Sequence, residues 1–139
     1  MPIALFALLV AAAGVALYKQ RTREMQGTWI DMFEGSSFFE DMSLDQACTT
    51  KFYRTSSWLH YYPKLNSAVG KLLQTKENIG IYESEDGRWD MTAYSVRFVG
   101  HKNSVGFGFG HLSGWHSEVM VDRMISVVPI KGAYCDIRD

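Results

Sequence analysis

The chain has 139 residues, 47% hydrophobic and 14% aromatic, with 14 basic and 15 acidic side chains for a formal charge of −1. All 15 acids but only 11 of the basic residues follow position 23, so that portion stands near −4. It is long enough for one ordinary core, and its mildly acidic balance argues against a dedicated nucleic-acid binder, which needs a basic face.

Residues 2–18, PIALFALLVAAAGVALY, carry no ionisable side chain except the Tyr18 hydroxyl. At about 1.5 Å per residue they make a helix of roughly 25 Å, slightly short of a roughly 30 Å hydrocarbon core. Such a helix spans if the bilayer thins or if Tyr18 and Lys19 reach the headgroups. A cleaved signal peptide would want a basic stretch before the run and a small-x-small site after it. Here the small residues lie inside the run, so a retained transmembrane helix is expected over 1–18. Ala4, Ala7, Ala11 and Gly14 fall at spacings of three, four and three, forming one stripe. In lipid, such a stripe lets another helix approach closely.

Lys19, Arg21 and Arg23 form a basic collar within residues 19–26. The positive-inside rule then predicts a single-pass protein of the bacterial inner membrane with its domain on the cytoplasmic side. On that side Cys48 and Cys135 are plain thiols, and they lack a C-x-x-C or other metal-like spacing. A periplasmic or lumenal domain would instead make the two cysteines candidates for one disulfide.

Residues 27–139 read as a small β-rich extramembrane domain. Residues 27–39 suggest two extended pieces joined at Glu34-Gly35-Ser36. Residues 40–49 read as a surface loop, with a helical turn capped by Ser43. Residues 51–62, KFYRTSSWLHYY, have strand character, and Pro63 ends them. In residues 64–75, Leu65, Ala68, Val69, Leu72 and Leu73 recur at helical spacing behind Asn66 or Ser67, predicting a short helix in which Gly70 costs roughly 1 kcal/mol against alanine.

Residues 79–83 predict a strand, 85–87 a turn, and 88–99 a longer strand with Tyr94, Val96 and Phe98 on one face. GHKNS at 100–104 reads as a turn. Residues 105–112 read as a strand in which Phe107 and Phe109 alternate with glycines that let the sheet bend. A last strand over 116–128 sets His116, Glu118, Met120, Asp122 and Met124 against Val119, Val121, Ile125 and Val127. Pro129 takes the chain out of the sheet, and 131–139 reads as a surface tail. The fold expected is mainly β, a small antiparallel barrel or curled sheet with one short helix, behind the transmembrane helix.

No catalytic, metal or cofactor site is expected. GFGFG lacks the strand-to-helix setting and the G-K-[ST] of a phosphate loop. His101, His111, His116 and Glu118 are the nearest approach to a metal cluster, but histidines beside turns are common surface residues. No G-x-S-x-G elbow occurs, and carboxylate pairs such as Asp31 with Glu34 or Glu118 with Asp122 arise by chance among 15 acids.

The aromatic load is the stronger feature. Trp58, Tyr61, Tyr62 and Trp115 are candidate docking residues, toward a protein or the membrane surface. The function expected is that of a non-enzymatic accessory or scaffold subunit. Its partners are the lipid bilayer and an integral membrane protein complex, respiratory or photosynthetic, with no nucleic acid. The alternative is a membrane-tethered β-barrel module that binds a small ligand, peptide or saccharide.

Overall fold

The structure, a computed structural model, describes residues 22–49, 55–75, 78–106 and 108–138. The expected transmembrane helix, its Ala4/Ala7/Ala11/Gly14 stripe, and Lys19 and Arg21 of the collar lie outside these residues. Among the described residues no helix is long and apolar enough to cross a membrane.

Strands β1 (Arg23–Met32) and β2 (Gly35–Glu40) form a hairpin that turns at residues 33–34, pairing Met32 with Gly35 and Gly27 with Glu40. Arg23, expected in the collar, opens β1 and ion-pairs with Glu40, so the domain starts four residues before Gly27. Helix α1 (Leu44–Ala47) has the cap that Ser43 predicts. The Gln46 N–H donates to Ser43 Oγ at 3.4 Å, and the Ser43 N–H donates to Gln46 Oε1 at 2.9 Å. That reciprocal pair satisfies two of the N–H groups a helix start leaves open.

Strand β3 (Ser57–His60) is only four residues long, and Tyr61 and Tyr62 lie beyond it. Helix α2 (Ala68–Gln74) starts at Ser67, whose Oγ accepts from the Gly70 N–H at 3.0 Å. Gly70 is not merely tolerated there. A Cβ on it would sit 2.1 Å from the Lys64 carbonyl oxygen, so the close approach of the preceding loop requires glycine.

Strands β4 (Ile79–Ser84) and β5 (Gly87–Asn103) form the next hairpin, and β6 (Glu118–Pro129) returns along β5. The turn expected at 100–104 is corrected here. Gly100 to Asn103 stay in β5 because their ladder with β6 continues to the Asn103–Glu118 pair. Among the described residues of 105–112 the expected strand is also absent. Gly106, Gly108 and Gly110 take positive φ values of 143°, 68° and 70°, which end the extended alternation. The described residues between β5 and β6 instead form a connection that holds a bridge of Phe109 with Trp115 and a 3-10 turn at His111–Ser113. Register shifts opposite Arg97/Phe98 and Val99/Gly100 change the expected faces of β6. After Val119 and Val121, the residues packed on the core are Met124 and Val127, not Ile125.

The tail expected on the surface contains strand β7 (Tyr134–Asp136), parallel to β4, whose Cys135 is completely buried and disulfide-bonded to Cys48 across 87 residues with Cα atoms 5.0 Å apart. The plain thiols expected on the cytoplasmic reading are therefore replaced by one bond.

The seven strands run in the order β1-β2-β3-β6-β5-β4-β7, and β5 also pairs with β1. The ladders β1–β2–β3–β6–β5–β1 thus close a circuit. The sheet is mixed, not antiparallel, because β3 runs parallel to β6 and β4 parallel to β7. Helix α2 and the β4–β5 hairpin intervene between β3 and β6, which supplies the crossover that a parallel pair needs.

Two cores flank β1. Met25 and Trp29 join Phe38, Leu59, Tyr94, Val96, Phe98 and Val119 in one cluster. Ile30, on the opposite face by strand alternation, joins Phe39, Tyr82, Met91, Ala93 and Cys135 in the other.

Candidate aromatic cleft at the β1–β2 turn

Trp29 and Asp31 share one face of β1, two residues apart. Trp29 ends inside the first core, 3% exposed, while Asp31 reaches the mouth above it. The indole N–H of Trp29 donates to Ser36 Oγ at 3.0 Å, and Ser36 Oγ donates to the Leu59 carbonyl at 3.1 Å. Those bonds satisfy the buried indole and tie β1, β2 and β3 together at this end. Tyr61 meets the Trp29 ring edge-on with centroids 6.2 Å apart, and Tyr94 lies 5.2 Å away on the core side.

The connection after β5 folds onto the same end. Trp115 donates its indole N–H to Ser37 Oγ at 3.1 Å and packs edge to face with Trp58, centroids 4.7 Å apart at 70°. Gly110, at φ 70°, lies against both rings; a Cβ there would fall 2.3 Å from the Trp58 ring. Gly110 therefore lets the loop backbone seat on two tryptophans. Leu112 and Ser113 follow with φ of 52° and 57°, left-handed values that are uncommon outside glycine.

Two clefts result, one on each side of the β1–β2 turn. The first, about 320 Å³, is lined by Trp29, Asp31, Trp58, Tyr61, Tyr62 and His111 among others. The second, about 480 Å³, is lined by Trp89, Trp115, Asp86 and Asp90, and both share Phe33 and Glu34. Among the described residues no aromatic side chain lines a wider depression of about 700 Å³ beside α1. Phe33 is 97% exposed at the tip of the turn, Tyr62 82% and Leu112 85%.

Burial raises the Asp31 carboxyl to about 6, with desolvation as the cause. His111 Nε2 stands 3.9 Å from Glu34 Oε1. The other histidine candidates are dispersed: His101 Nδ1 lies 3.4 Å from Asp122, while Glu118 pairs with His60 Nε2 at 2.7 Å and accepts from Asn103 at 3.1 Å. Among the described residues no three His, Cys, Asp or Glu side chains gather to hold a metal ion.

Trp58, Tyr61 and Tyr62 thus line one cleft, and Trp115 packs on Trp58 while lining the other. Arg23 lies toward the far end of the hairpin, paired with Glu40. Asp31, weighed from the sequence only as a chance carboxylate pair with Glu34, lines the first cleft with it, and Phe33 and Trp89 line the clefts without having been among the expected docking residues. Compared with protein-family models, with curated proteins and with solved structures, the chain matches none.

Proposed function

We propose that this chain is a non-enzymatic accessory subunit of a larger membrane protein complex. One N-terminal helix anchors it, and the aromatic end of the β1–β2 hairpin docks on the partner. The observation that carries this reading is the pair of exposed rings, Phe33 and Tyr62, that line a tryptophan-bearing cleft. Exposed apolar side chains gathered at one cleft are typical of contact sites. Its position supports a protein partner over the bilayer. The chain enters the domain at Arg23, and the ten residues of β1 carry it about 30 Å, at about 3.3 Å per residue, before the Phe33 turn.

The disulfide bears on the side of the membrane. Structural disulfides persist in oxidising compartments and are rare in the cytosol. The collar argues for the cytoplasmic side, but Arg23 is already paired within the fold, which leaves Lys19 and Arg21 as its unassigned charges. The domain therefore belongs on the exported face of a bacterial inner membrane, where respiratory or photosynthetic assemblies are natural hosts. Cells lysed directly into an alkylating agent should show no modification of Cys48 or Cys135 without prior reduction.

The docking test pairs two sets of substitutions. Phe33→Ser with Tyr62→Ser is expected to abolish co-purification with the complex from solubilised membranes, while the protein stays membrane-bound with unchanged thermal unfolding. Ala7→Phe with Ala11→Phe is expected to weaken it through the helix. Undiminished co-purification in both would sink the reading.

A second reading rests on the smaller cleft. Its roughly 320 Å³ is at the low end of the roughly 300–1,000 Å³ range of ligand sites. On this reading the five-strand circuit is a small barrel whose β1–β2 turn and β5–β6 connection flank the ligand. The acidic lining counts against nucleic acid. Saturable quenching of tryptophan fluorescence by a neutral oligosaccharide would favour this alternative.

A further inference from the structure

Both clefts flanking the β1–β2 turn are acidic as well as aromatic. Asp31 and Glu34 line the first, and Glu34, Asp86 and Asp90 the second. Among the described residues no lysine or arginine lines either one. The nearby arginines are engaged beyond them: Arg88 lies 3.7 Å from Glu83, and Arg138 lies 2.8 Å from Glu83 and donates to Asp136. Asp31, Asp86 and Asp90 thus sit beside the rings of Trp29, Trp58, Trp89 and Trp115 with no lysine or arginine in either lining, and Glu34 has His111 Nε2 at 3.9 Å.

We propose that the surface astride the Phe33–Glu34 turn binds an arginine-bearing segment of the partner protein, with Phe33 as the projecting knob and Asp31 and Asp90 as guanidinium acceptors on its two sides. The inference rests on the docking reading above and adds the chemistry of what is docked. A guanidinium can stack on an indole or phenol ring and fork onto a carboxylate at once, which a lysine ammonium does not. Two clefts divided by a turn suit a segment that crosses the turn and sends one side chain into each. Anionic lipid headgroups and nucleic acid carry the wrong sign for this lining. A saccharide would use the rings but has no need of uncompensated carboxylates. The desolvation that holds Asp31 at about 6 is the kind of cost that an incoming cation relieves.

The test uses the full chain in detergent micelles. Three synthetic peptides are titrated against intrinsic tryptophan fluorescence at low salt: Ac-Gly-Arg-Gly-Arg-Gly-NH2 and its lysine and glutamate analogues. The arginine peptide is expected to bind, the lysine peptide about threefold more weakly, and the glutamate peptide not at all. Asp31→Asn and Asp90→Asn, which keep side-chain size, are each expected to weaken arginine binding about fivefold, the equivalent of about 1 kcal/mol for a screened charge pair. Thermal unfolding of both variants at temperatures no lower than that of the unsubstituted protein ties that loss to the charge. Equal binding of the arginine and glutamate peptides, undiminished binding by both variants, or no arginine binding at millimolar peptide overturns the proposal. If Phe33→Ser with Tyr62→Ser still abolishes co-purification in that event, docking stands and only the partner chemistry falls.

Discussion

The two cores that flank β1 are closed by different means. The first is a ring-filled interior, where Trp29, Phe38, Tyr94 and Phe98 stack within the strand circuit, Phe38 and Phe98 at 5.1 Å. The second lies outside that circuit, where Phe39, Tyr82 and Met91 pack with three alanines and the Cys48–Cys135 bond ties β7 to the end of α1. Dispersion and apolar burial suffice where strands enclose the side chains on every side. Where a short edge strand and a four-residue helix cover the core, a covalent link restrains the unfolded chain instead. The aromatic cleft opens from the first core, so its geometry depends on packing more than on the bond.

Substitutions can break this comparison. Phe98→Ala is expected to cost about 3–5 kcal/mol, since the completely buried ring leaves a cavity in the closed circuit. Chemical denaturation checks the cost, and the same variant should lose the cleft's tryptophan signature. Cys48→Ser with Cys135→Ser should cost about 2–5 kcal/mol, the bond closing a span of 87 residues. Hydrogen exchange should then accelerate in β4 and β7 while Trp29 and Trp58 keep their environment. Accelerated exchange throughout β1 and β2 would show that the two cores are one.

Smaller effects sharpen the picture at the mouth of the first core. Asp31 has its carboxyl raised to about 6, above the value of an unfolded chain, so the native state holds more protons between about pH 4 and pH 6. Stability should fall as pH rises through that window, with the loss complete above it. Asp31→Asn should therefore stabilise the protein at pH 7.5, by about 1.5 kcal/mol after discounting for contact with water, and change nothing at pH 3.5. Equal gains at the two pH values would remove the charge explanation. Ser43→Ala should cost about 0.5–1 kcal/mol through loss of the α1 cap, and thermal unfolding reads it.

Local chemistry was legible where neighbours in sequence decide it. The Ser43 and Ser67 caps, the hairpin turn after β4 and the buried Tyr94/Val96/Phe98 face all follow from spacing alone. The GFGFG stretch misled because alternation with phenylalanine resembles a strand, whereas its three glycines take positive φ and Gly110 seats against Trp58 and Trp115. Gly70 looked like a blemish in a helix because the Lys64 carbonyl that excludes any Cβ is contributed by the loop before it. Within the site, the four aromatics were readable as candidates, but Asp31 and Phe33 gain their meaning from which cleft they line.

The sequence by itself determined a mainly β domain with a short capped helix, an apolar stretch before it and an acidic, aromatic-rich character. Those properties depend on residue type and on periods of two and 3.6 along one chain. Only the tertiary structure decided that β3 and β6 run parallel, that Cys135 lies buried in a strand against Cys48, and that Trp58 and Trp115 meet at the turn carrying Phe33. These pairings join residues 57 to 87 positions apart, and such contacts are set by strand register and loop closure, which local patterning does not encode.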